Sequence, residues 1–120
     1  MKDRILFIRG IELFNRGEFF EAHETWEKLW RAAAGRDERM FFQGMIMIAA
    51  GLHHYRKQEY AGMVRLIEKG TTLLKESGYS TALFDKEMFL AEVRLFYVQF
   101  TSGAELYADA FPRIRTAAYK

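Results

Sequence analysis

Gly17-Glu18-Phe19-Phe20-Glu21-Ala22-His23-Glu24-Thr25-Trp26-Glu27-Lys28-Leu29-Trp30 decides how the rest of the chain is read. At about 100° per residue, Phe19, Ala22, Trp26, Leu29 and Trp30 fall on one stripe, the face that a helix buries. His23 stands at the edge of that stripe. Glu24 and Glu27 lie on the border with solvent, and Glu21 and Lys28 on the wet side. Burial accounts for the two tryptophans, the only ones in the chain. It accounts less well for a histidine and two carboxylates beside them.

The same period runs outward in both directions, with no sustained strand-like alternation. The only proline is Pro112, and the glycines fall singly at spacings that suit helix ends. The pattern predicts an all-α chain of five helices, in one domain over residues 1–120. They cover about Asp3 to Asn15, with Asp3 as cap; Glu18 to Ala34, ended by Gly35; Asp37 to Lys57; Tyr60 to Glu76; and Asp85 to Thr101, ended by Ser102-Gly103. One more turn is expected ahead of Pro112. Phe14-Asn15-Arg16-Gly17-Glu18-Phe19 and Tyr55-Arg56-Lys57-Gln58-Glu59-Tyr60 both lead from a helix end through an acidic-aromatic turn into a new helix, 41 positions apart. This faint repeat predicts stacked antiparallel hairpins in tetratricopeptide fashion. The offset exceeds the usual ~34 of that motif, so it argues for architecture and not for peptide binding.

Composition narrows the function classes. With 18 basic and 16 acidic residues mixed along the chain, the net charge is +2, and no basic stripe forms for nucleic acid. The absence of cysteine removes disulfides and thiolate metal sites, and fits a reducing cytoplasm. The longest apolar run, Met45 to Leu52, falls far below the ~20 residues that span a bilayer. The expectation is a cytoplasmic protein without membrane or nucleic-acid partners. Sixteen per cent aromatics and six methionines suit a core of large side chains, or a homodimer or peptide-binding surface.

The chemistry-bearing residues converge on the second and third helices. His23 and Glu27 are spaced i,i+4 and reach one point. On the third helix Gln43, Met47, Ala50 and His54 share a narrow sector, while His53 faces elsewhere. His23, Glu27 and His54 supply two nitrogens and one oxygen, an acceptable set for zinc, manganese or iron, with Glu24 as general base. Gln43, Trp26 and Trp30 would line a small-ligand pocket. The plain structural alternative is a rim histidine bonded to a neighbouring carboxylate, with the acidic first turns complementing the helix dipole.

Phe14-Asn15-x-Gly17-Glu18-Phe19-Phe20-Glu21-Ala22-His23-Glu24-x-Trp26-Glu27-x-x-Trp30, with Gln43-Gly44-x-Ile46 and Ala49-Ala50-Gly51-Leu52-x-His54, resembles the prokaryotic domain of unknown function 309 family. The resemblance spans about residues 5–74. It implies a compact helical-hairpin fold and carries the family label of predicted metal-dependent hydrolase, with no established reaction. One departure stands out: Met47 occupies a place where members often carry a second glutamine. Three functions follow as expectations: a metal-dependent hydrolase or metal-binding protein; a tetratricopeptide-like scaffold; and a small-ligand-binding helical domain.

Overall fold

A computed structural model describes residues 2–104, 106 and 110–115. The protein is all-α, with helices α1 (Lys2–Asn15), α2 (Phe19–Ala32), α3 (Arg36–Arg56), α4 (Tyr60–Glu76) and α5 (Lys86–Thr101), and no strand among the described residues. Two of the expected signals work differently from their reading in the sequence. Asp3 lies inside the first turn of α1 instead of capping it. Gly35 does not stop α2. The helix ends at Ala32, because Ala33 turns extended (φ −66, ψ 133) and buries its side chain, and Gly35 becomes the N-cap of α3. Asp85 is a true cap, its carboxylate accepting the Met88 N–H at 3.0 Å. The turn expected ahead of Pro112 falls largely on residues outside those described. No helix among the described residues is long and apolar enough to cross a membrane.

The chain divides into two compact units, residues 1–79 and 80–120. In the first, α1 packs on α2, α2 on α3 and α3 on α4. Its core is aromatic. Phe7 meets Trp26, Phe41 and Phe42 with ring centroids 5.9–6.4 Å apart, and Phe14 touches both Phe19 and Trp26. Tyr79 closes this cluster over Phe41 and Phe42. Burial, and then the negative charges of Glu38 and Asp3, push its phenol above the usual tyrosine range. In the second unit α5 buries Phe89, Val93 and Phe96. The Glu92 carboxylate ties the following segment to α5 by accepting from the Arg113 N–H and from Arg115 Nε.

The repeat suspected in the sequence is real at atomic detail. In the α1–α2 turn the Gly17 N–H donates to the Phe14 carbonyl and the Glu18 N–H to the Leu13 carbonyl. In the α3–α4 turn Gln58 donates to Tyr55 and Glu59 to His54. Gly17 (φ 82) and Gln58 (φ 62) take the same left-handed conformation, which costs glycine little and glutamine more. Glu18 and Glu59 then share nearly one backbone geometry (φ −89, ψ 71 and φ −95, ψ 72). The aromatic pairs Phe14–Phe19 and Tyr55–Tyr60 bracket the two turns. Gly10 lies against Trp26 as Gly51 lies against Ile67, again 41 positions on. The α1–α2 and α3–α4 hairpins are therefore built alike around their turns, and residues 41 positions apart in the paired helices can be compared.

Candidate functional site

The site grows from the seam where α2 of the first hairpin meets α3 of the second. Two contacts fix its register. The Phe20 ring lies 5.3 Å from the His53 ring, and the Arg39 guanidinium stacks on Trp30 at 4.6 Å. The helices therefore run antiparallel, with Glu27 level with Gln43 and His23 level with Ala50. On α3 the seam stripe is Arg39, Gln43, Ile46, Ala50 and His53, within a sector of about 80°. Most of these side chains, with His23, Glu27 and Trp30 opposite, are half-buried.

His23 Nε2 lies 3.0 Å from Glu27 Oε1, within ion-pair distance, and Arg31 donates to the other carboxylate oxygen at 3.0 Å. His54 is drawn away from that pair. Its Nδ1 meets Glu59 Oε1 at 2.7 Å across the α3–α4 turn, and its ring lies over Gly62. Phe20, 42% exposed, sits between the His23 and His53 rings. The wheel turned His53 away from the site. The structure instead makes His53 the histidine that reaches α2, because Phe20 projects across the seam one turn before His23.

The other expected residues separate. Glu24 is exposed and makes no hydrogen bond or ion pair among the described residues. Trp26, a candidate ligand contact, is wholly buried, with its indole N–H aimed at the Phe7 carbonyl at 3.4 Å. Trp30 remains half-exposed. Among the described residues no three His, Asp or Glu side chains cluster as metal ligands, so His23, Glu27 and His54 do not meet at one point. Phe20, His53, Arg39 and Glu59 were the members that sequence reasoning passed over. An aromatic residue on the polar side of a strongly apolar stripe was the one available signal.

An ionised carboxylate only accepts, so each partnered imidazole nitrogen must carry a hydrogen. His54, whose Nδ1 is hydrogen-bonded to Glu59 Oε1, is thereby held as the Nδ1–H tautomer. Nitrogen-15 spectra of its neutral imidazole ring are expected to show that tautomer. A dominant Nε2–H form of His54 would break the pairing with Glu59.

The duplication supplies an internal control. The counterparts of His23 and Trp30 on α4 are Val64 and Thr71, and those of His53 and His54 on α1 are Glu12 and Leu13. The hairpin thus forms without these side chains. Trp26 and Glu18, by contrast, have like counterparts in Ile67 and Glu59, and serve the architecture.

Comparison with known sequences agrees in extent with this unit. The chain is 29% identical over 65 residues to the uncharacterized protein YpuF of Bacillus subtilis (strain 168), which is 54% of this chain and 37% of that protein. The chain thus matches little more than a third of its relative's length. The pattern of the domain of unknown function DUF309 matches residues 7–66, from α1 into α4 and across the whole seam, and the chain belongs to that family.

Proposed function

We propose that the protein is a small-ligand-binding helical module whose site is the α2–α3 seam. The observation that carries this reading is the internal control: His23, Trp30 and His53 line the seam where the counterpart positions hold Val64, Thr71 and Glu12. The seam also offers what ligand sites use, a few polar groups set among half-buried apolar side chains. The Gln43 amide and the His53 imidazole make no hydrogen bond among the described residues, and Ile46 and Ala50 form the apolar wall between them. A scaffold role, with hairpins stacked in tetratricopeptide fashion, would use the same seam, so peptides belong among the probes. The test is a backbone and imidazole NMR titration with a metabolite and short-peptide panel. The expected result is a saturable shift confined to residues of the seam, among them Phe20, His23, Trp30, Arg39, Gln43 and His53. A panel that leaves those residues unmoved at millimolar concentration would rule the reading out.

One distance favours a second reading, metal binding by His23 and Glu27. In an octahedral site such as manganese uses, neighbouring ligands about 2.1 Å from the ion meet at a right angle and stand roughly 3.0 Å apart, which is the separation of His23 Nε2 and Glu27 Oε1. The remaining positions would be filled by water or by a bound ligand, the arrangement a metal-dependent hydrolase needs. Elemental analysis of tag-free protein incubated with zinc, manganese or iron, repeated on His23→Ala, tests it. A wild type that takes up no metal excludes it.

A further inference from the structure

We infer that the ligand of this seam carries an oxyanion, a carboxylate or a phosphate, received by Arg39 at the end of the seam nearest the α2–α3 connection; this rests on the seam being the binding site. Three arginines stand at that corner. Arg31 is engaged by Glu27. Arg36 and Arg39 are exposed and have no carboxylate within ion-pair distance among the described residues. Two of the nearby acids are engaged elsewhere. Glu27 is shared between His23 and Arg31, and Asp37 accepts the Gly78 N–H at 3.0 Å.

Arg39 is also oriented. Its guanidinium carbon lies over the Trp30 ring at 4.6 Å, a cation–π contact, and its N–H groups make no hydrogen bond or ion pair among the described residues. Stacking of this kind holds the rigid fork that matches a carboxylate or phosphate, at less loss of side-chain freedom than a loose arginine. Gln43 follows one turn later on the same stripe, half-buried, with its amide unengaged among the described residues. It is placed to donate to the same anion or to bond the body of the ligand. Further along the seam, Ile46 and Ala50 give an apolar surface that ends at Phe20 and His53. An organic anion with a flat or apolar body fits that order: charge at Arg39, polar contact at Gln43, apolar contact beyond.

The fold supplies its own reporter. Trp26 is wholly buried and bonded within the core, so a ligand-induced change in tryptophan emission comes from Trp30. The experiment titrates the intact chain with benzoate, phenyl phosphate and inorganic phosphate, and with neutral benzamide as control. Arg39→Gln and Arg39→Lys follow, both at an exposed position. The expected result is a saturable change with benzoate or phenyl phosphate, at least tenfold weaker binding in Arg39→Gln, partial recovery in Arg39→Lys, and weakening by salt. The tighter of the two organic probes identifies carboxylate or phosphate as the group recognised. Equal binding of benzamide and benzoate, or unchanged binding in Arg39→Gln, overturns the inference and leaves the seam as a site for uncharged ligands. No response to any probe overturns it as well, and the wider panel titration then decides separately whether the seam binds anything.

Discussion

Replacing Trp26 by alanine lowers the stability of the 1–79 unit by about 3–5 kcal/mol, the range for removing a buried aromatic. Trp26 is fully excluded from solvent, touches Phe7 and Phe14, and directs its indole N–H at the Phe7 carbonyl. The cavity cannot close easily, because the side chain lies directly against the backbone at Gly10, where even one methyl would overlap the indole at 2.0 Å. A domain of this size has roughly 5–15 kcal/mol of stability in all. The variant is therefore expected to be largely unfolded in moderate urea, where the wild type is folded. Equilibrium urea denaturation followed by far-ultraviolet circular dichroism measures this. A shift worth less than about 1 kcal/mol would show that Trp26 is not the keystone of the hairpin.

The second large effect is at the crossing of α3 and α4. A methyl added at Gly44 would meet the Gly70 carbonyl at 2.9 Å and the Leu74 Cγ at 3.0 Å; one added at Gly70 would meet the Gly44 carbonyl at 2.8 Å. Backbone on both sides cannot move aside as a flexible side chain can. Alanine is the better helix former by about 1 kcal/mol. Overpacking nevertheless outweighs that gain, and a net loss of about 1–3 kcal/mol is expected for either substitution. The double substitution strains the same crossing, so its cost should fall short of the sum. Gly62→Ala is the control. The three atoms nearest its added methyl belong to the His54 ring, at ordinary contact distances of 3.4–3.8 Å, so thermal denaturation should show no loss.

The architecture was legible because it rests on local rules. Period and breakers placed α4 at its observed bounds and the other helices within two residues, and Gly17 marks a turn that needs positive φ. Gly35 misled because a glycine after a helix and a glycine before one look alike in sequence. The burial of Ala33, a tertiary event, chose between them. The site was only half legible. His23 and Glu27 lie on one helix, where i,i+4 spacing is a geometric certainty, and they pair as their spacing requires.

His53 and His54 depended on facts no wheel contains. A wheel gives the direction of a side chain from its own axis, not the position of the neighbouring helix. The packing of α2 on α3 put Phe20 beside His53, and the duplicated turn put Glu59 within reach of His54. By itself, then, the sequence determined the helices, the duplication and the His23–Glu27 pair, because each arises from residues within a few turns of one another. The tertiary structure alone decided which groups share the seam, since that follows from the register of two helices from different hairpins. It also left Arg39 stacked on Trp30 without a carboxylate partner among the described residues.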